Sequence, residues 1–270
     1  MTYIGLNTPE GAFVVSTADR NIGRSLLVKR SRPEFRVLRL AVGLLGAQAV
    51  AGRMLVDVGA NIGTTTISAL RSHAFGGAIC CEPEEESFRL LEANLALNGV
   101  GSRAQALRVA VSSEPGRATL VLDEASASLS WIARGPAPPA RTAEVEVTTL
   151  DNLAAEGVID PARVALLWID TEGHEGYVLK GAESLLERGV PVVMELDPVA
   201  LATRGDPDLV HDLASEHYTH FIDVRRQKQP DGSPKLEPQP VSAVRDHADR
   251  LRGEDQPHHT DVLLLRSDHL

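Results

Sequence analysis

Cysteine is nearly missing from this sequence: two in 270 residues, Cys80 and Cys81, side by side. Adjacent thiols cannot staple distant segments, and their spacing fits no zinc-binding pattern. A disulfide scaffold is therefore excluded, and a reducing, cytoplasmic setting fits. Positive charge is also scarce. Lysine plus arginine number 27 against 37 for aspartate plus glutamate, giving a formal net charge of -10. A protein that grips a nucleic-acid backbone usually presents a basic face, so nucleic acid is not the expected partner. Long apolar runs are lacking too. The most apolar early segment, VLRLAVGLLGAQAVAG, is interrupted by Arg39 and too short for a bilayer. It reads as a buried amphipathic helix, and no membrane span is expected. The opening MTYIGLNTPEG is polar, unlike a signal peptide. No repeat appears, and no linker clearly divides the chain.

What is present is a rhythm. Hydrophobic residues make up 43%, enough for a substantial core. Residues 11–30 read as short strands around a turn at 18–23, with a helix at about 34–50. From there, apolar runs alternate with helical periods. Strands are expected at 54–58, 78–81, 107–111, 164–169, 191–196 and 220–225. Helices are expected at 63–73, 85–98, 175–187, 208–217 and 241–252, and 260–266 closes as a strand. This pattern implies βαβ units and a doubly wound, mostly parallel sheet. It breaks at 117–150, where RATLVLDE and RTAEVEVTTL alternate like an antiparallel pair around a proline-rich loop. QKQPDGSPKLEPQP is a second such loop. Residues 1–50 thus form an N-terminal extension on a domain of 51–270, which carries a hairpin and loop inserted at about 115–150.

One stretch bears on chemistry: LVDVGANIGTTTI, from Leu55 to Ile67. The strand stops at Asp57, and a turn from Gly59 to Gly63 precedes a helix. Gly59 permits a tight turn against a ligand, and Gly63 allows close helix packing. Glu82 ends the next strand, where a carboxylate can accept hydrogen bonds from both ribose hydroxyls, and Pro83 stiffens the wall beside it. A nucleoside cofactor follows. Dinucleotide turns read GxGxxG, but here the middle glycine is replaced by Asn61. Asp57 at the mouth would repel a pyrophosphate and attract a cation. S-adenosylmethionine, with a sulfonium and an ammonium and no phosphate, fits better than NAD(P). The alternatives are an NAD(P)-dependent oxidoreductase and a non-catalytic nucleoside-binding protein. In the third strand, Ala110 and Val111 would wall an adenine pocket edged by Ser112.

A second cluster, DTEGHEG, follows the strand VALLWI. That strand is expected beside the first, so Asp170, Glu172 and His174 would face the transferred methyl, with Asp170 also touching the cofactor. Transfer to a hydroxyl needs a base or a cation that lowers the hydroxyl's pKa. His174 is the residue type that titrates near neutrality, and Asp170 could orient it or position the acceptor. Asp170 with Glu195 and Asp197 of ELDP could instead hold Mg²⁺. The structural alternative is that acidic groups here offset a helix dipole and Gly173 permits the bend, with Glu172 and Glu175 capping. Trp131 could cover a ligand, Trp168 reads as core, and His258 and His259 read as a solvated turn. No N/D-P-P-Y/F motif of amide or amine methylation stands at a strand end.

Taken together, VDVGANIGTTT, CEPEEESFRLLEANLALNG, TTLDNL, LLWIDTEGHEGYVLKGAESLL and VVMELDP resemble the FkbM family of S-adenosylmethionine-dependent methyltransferases. The resemblance covers roughly residues 50–200 and, more faintly, TDVLLLR. It implies a class I Rossmann-like fold with a seven-stranded sheet, the last strand antiparallel. It also implies O-methylation of a hydroxylated small molecule, such as a sugar or secondary metabolite. Asp57, Gly59, Asn61, Gly63 and Glu82 match cofactor positions, and Asp170, Glu172 and Glu175 match the second motif. His174 falls where that motif is open. Substrate contacts are expected from the N-terminal part, the loop at 125–141 and the segment 225–258.

Overall fold

The computed structural model describes residues 2–123, 126–135, 140–226, 235–253 and 259–269. Two strands, Tyr3–Asn7 (β1) and Ala12–Ser16 (β2), pair antiparallel at the start. Helices Ile22–Lys29 (α1), Pro33–Leu45 (α2) and Ala47–Val50 (α3) follow. Residues 22–29, expected as strand, are helical: Ile22, Gly23 and Leu26 fall on one buried face, a helical spacing. The expected helix at 34–50 breaks at Gly46, whose φ of 84° leaves the helical region.

The βα rhythm is realised as Met54–Val58 (β3), Thr64–Arg71 (α4), Gly77–Cys81 (β4), Glu85–Leu97 (α5) and Ala104–Leu107 (β5). The third strand lies earlier than expected. Ala110–Val111 (β6) leaves the main sheet and pairs parallel with Thr142–Thr148 (β9). The edge strand β5, AQAL, is only half-buried, so its apolar signal is weaker than that of the VAV beyond it. Gly116–Val121 (β7) pairs antiparallel with β9, as its alternation predicts, and Trp131–Ile132 (β8) adds to β7 from within the loop.

Beyond Leu150–Ala155 (α6) come Val164–Ile169 (β10), Glu175–Lys180 (α7), Glu183–Leu186 (α8), Val192–Leu196 (β11), Pro198–Arg204 (α9), Pro207–His217 (α10), His220–Asp223 (β12), Gln239–Pro240 (β13), Val244–Arg252 (α11) and Thr260–Leu265 (β14). The main sheet runs β13-β12-β14-β11-β10-β3-β4-β5. It has eight strands rather than seven, because the two-residue β13 adds at one edge. The last strand, β14, is antiparallel to both its neighbours, as the resemblance implies. The helix expected at 175–187 is broken at Gly181, where a Cβ would meet the Ser112 carbonyl oxygen at 2.1 Å.

The sheet is packed on both faces. Leu55, Trp168, Val193 and Leu263 belong to one core, and Val56, Leu167, Met194 and Val262 to the other. Such double burial explains the nearly continuous apolar runs of β3, β10 and β14. No helix among the described residues is long and apolar enough to cross a membrane.

Candidate functional site

β3 and β10 are parallel neighbours. From β3 the chain builds outward through β4 and β5; from β10 it builds the other way through β11. The crevice between their carboxyl ends is a topological switch point, where ligands of doubly wound sheets bind. Gly59 is forced by this junction. Its φ is 83°, and a Cβ would lie 1.9 Å from the Asp170 carbonyl oxygen. Gly63 serves packing, as expected: a Cβ there would stand 2.7 Å from Leu91 Cδ1, so α4 lies close against α5. It does not line the crevice.

Asn61 takes a left-handed φ of 48°, a conformation asparagine tolerates. Its backbone N–H donates to Glu82 Oε2 at 2.9 Å, and Glu84 N–H donates to Glu82 Oε1 at 2.8 Å. Glu82 is buried, which pushes its carboxyl up to about 8. It therefore knots the turn while facing the crevice. Asp57 departs from expectation. It is 1% exposed, accepts a hydrogen bond from Thr66 Oγ1 at 2.6 Å, and lies beneath the floor rather than at the mouth. Burial raises its carboxyl to about 7.

The cavity over this junction measures about 620 Å³. Pro83, Ala110 and Val111 line it, as do Asp170, Glu172, His174, Glu195 and Asp197. Ser112 is not in the lining; its Oγ lies 2.9 Å from His174 Nε2. His174 is 6% exposed, and burial together with the Arg134 charge lowers its pKa to about 4. It is thus neutral at physiological pH but a weak base. Its Nδ1 is buried without a hydrogen-bond partner among the described residues. Glu175 turns inward: its Oε1 accepts from Thr171 N–H, Thr171 Oγ1 and Gly173 N–H, holding the loop that bears the motif.

Oxygens of Asp170, Glu172 and Glu195 lie within 4.8 Å of one another. That geometry could hold a cation. Asp197, expected in this set, is not among them; its Oδ1 caps α9 by accepting from Val199 and Ala200 N–H. Burial raises the pKa of all three clustered carboxyls, and their mutual repulsion adds to the rise for Glu172 and Glu195. Arg204 stands 3.5 Å from Glu172 and also covers the Trp131 ring at 4.2 Å. His259, expected in a solvated turn, lines the cavity 3.8 Å from Glu195. His258 lies outside the described residues. Trp131 lines the cavity, and Trp168 is core.

Sequence reasoning missed a buried ionic network beside the cavity. Arg32 Nε bonds Glu34 Oε2 at 2.8 Å, while Arg225 NH1 reaches Asp261 Oδ2 at 3.1 Å and its NH2 lies 3.8 Å from Glu34. These residues come from three distant segments, so no local spacing signals them. The N-terminal segment from Arg20 to Glu34 and the loop from Ala127 to Ile132 form the remaining cavity wall.

The Methyltransferase FkbM domain matches residues 57–225. No curated protein matches the chain. Among solved structures, the chain is similar to Methyltransferase FkbM from Methylobacillus flagellatus KT, with 16% identity and a TM-score of 0.47 over 80% of this chain. It spans 44% of that protein's length. It is similar to the O-methyltransferase from Bacillus cereus in complex with SAH, at 11% identity and TM-score 0.45, covering 87% of this chain and 82% of that one. It is also similar to M. jannaschii TYW2 in complex with AdoMet, at 10% identity and TM-score 0.48, covering 97% and 84%.

Proposed function

The chain belongs to the FkbM methyltransferase family, and from that premise we propose that it transfers the methyl of S-adenosylmethionine to a hydroxyl of a small molecule. The observation that carries this reading is the concentration of carboxyls at the cavity floor. Glu82, Asp170, Glu172 and Glu195 all face it, while Arg32 and Arg225, the cations whose charge bears on Asp170, are engaged by Glu34 and Asp261. A donor with a sulfonium and an ammonium suits that floor; a dinucleotide pyrophosphate does not.

When bound, S-adenosylmethionine supplies an electrophilic methyl. Glu82 would hold the ribose hydroxyls, with Pro83 beside the sugar and Ala110 and Val111 against the adenine. Gly59 and Asn61 let the backbone lie against the donor. Asp57 acts indirectly by fixing Thr66 under the turn. Asp170 and Glu172 orient the acceptor and take its proton, since burial brings their affinity for a proton into the useful range. His174, with its lowered pKa, positions the wall through Ser112 rather than acting as base. The small acceptor is favoured by the cavity volume, about 620 Å³.

Calorimetric titration tests the reading. S-adenosylhomocysteine is expected to bind, and NAD(P) is not; nicotinamide binding alone would replace the methyltransferase with an oxidoreductase. Asp170, Glu172 and Glu195 could accept Mg²⁺, but Arg204 and His259 already face two of them. Turnover is accordingly expected to survive EDTA, and a rate restored only by Mg²⁺ would assign the cluster to the metal.

A further inference from the structure

The cavity is polar in two opposite senses. Its floor is lined with carboxyls, but its rim carries cations. Residues 20–32, RNIGRSLLVKRSR, hold five cations and no acid in a chain with ten more acidic than basic residues. Arg20, Arg24, Lys29 and Arg32 all line the cavity. Arg32 is neutralised by Glu34. Arg20, Arg24 and Lys29 are exposed and have no side-chain partner among the described residues. Among the described residues, the unpaired cations of the lining therefore come from the segment 20–29, on α1 and just before it.

Exposed cations such as Arg163, Lys180 and Arg188 stand elsewhere on the surface, but Arg20, Arg24 and Lys29 border the cavity beside Val28, which is 73% exposed, and Trp131. An anionic group fits against arginine and lysine side chains that converge on one opening. The donor's own charges are positive, so the rim does not serve the donor. We propose that the acceptor carries an anionic substituent, a phosphate or a carboxylate, which α1 holds at the rim while the hydroxyl reaches the carboxylate floor. This rests on the methyl-transfer reading above, and it narrows the acceptor to hydroxylated anions. The acidity of the whole chain opposes a long polyanion, so a small molecule is favoured over RNA.

The test uses the full chain and a triple variant, Arg20→Ala with Arg24→Ala and Lys29→Ala. Pyrophosphate and citrate are titrated into each by calorimetry in the presence of S-adenosylhomocysteine. At least one is expected to bind the native protein and to lose tenfold or more in affinity in the variant, while S-adenosylhomocysteine binds both equally. Pyrophosphate binding alone assigns a phosphate, and citrate alone a carboxylate. No binding of either, or binding unaffected by the triple change, overturns the proposal. Short single-stranded RNA that binds more tightly and is lost in the variant overturns it in favour of a nucleic-acid acceptor. A failure of S-adenosylhomocysteine to bind, with the anions still held at α1, would strike the methyl-transfer reading alone. Once turnover is measurable, the variant is expected to raise KM for the acceptor with kcat little changed.

Discussion

Asp170 sits where two demands meet. Its backbone carbonyl oxygen occupies the space a Cβ on Gly59 would need, and its carboxyl faces the cavity. The first demand makes Gly59→Ala a severe change. A left-handed φ and a 1.9 Å collision cannot both be relieved without moving β3 from β10. The cost is about 3 kcal/mol from strain and overpacking, which lowers Tm by about 6–12 °C in a chain of this size. Thermal unfolding of the purified variant checks this; an unchanged Tm would mean the junction is looser than described. The second demand is chemical. Asp170→Asn keeps shape but removes the proton acceptor, and kcat is expected to fall about 100-fold or more. The Kd of S-adenosylhomocysteine should change little. Retained turnover would move the base to Glu172, whose raised pKa suits it equally.

At the scale of elements, the N-terminal strands are held by two asparagines one turn apart, Asn94 on α5 and Asn98 at its C-cap. Asn98 accepts from Ala12 N–H and donates to Ala12 carbonyl oxygen; Asn94 does the same for Val14. The two amides pair with the free edge of β2 much as another strand would. Asn94 also donates to the Ile62 carbonyl oxygen at 3.0 Å, so the cofactor turn and the N-terminal segment share one anchor. Asn94→Ala leaves these buried groups unpaired, at about 3 kcal/mol. The expected result is a lower Tm together with a larger rise in acceptor KM than in S-adenosylhomocysteine Kd, because the cavity wall at residues 20–34 hangs from this anchor. Equal effects on both constants would count against it. Nothing in the run LEANLALNG signals this role, since its partner is eighty residues away. By contrast, β3, β10 and the β7–β9 pair were legible, because burial on two faces or one writes itself directly as an apolar run or an alternation. The edge strand β5, the short α9 and the helix α1 were not. Each takes its form from tertiary contacts or a cap rather than a strong period. The same divide runs through the site. Gly59 and Glu82 announce themselves by spacing after a strand, whereas the inward turn of Asp57 and the Arg32–Glu34–Arg225 network depend on packing.

Across the whole molecule, the most telling property is how many acids are buried together in an acidic chain. Glu82 is raised to about 8 and Glu175 and Asp261 to about 7, each chiefly by burial. A carboxyl whose folded pKa exceeds its unfolded value contributes stability below the unfolded value, and that contribution is lost as pH climbs through the folded value. The ligand-free protein should therefore lose Tm as pH rises from about 5 to about 8. A cationic donor reverses the balance. It favours the ionised carboxyls of the floor, so its binding must expel protons from those still protonated. Affinity for S-adenosylmethionine is then expected to increase between about pH 6 and 7.5, below the ordinary titration of an α-amino group. Calorimetry near neutral pH in buffers of different ionisation enthalpy measures the protons directly. Net release is the expected sign. Net uptake, or an affinity indifferent to pH, would mean that the buried acids serve folding and not the donor, and the anionic floor could no longer explain why this cavity prefers a sulfonium to a pyrophosphate.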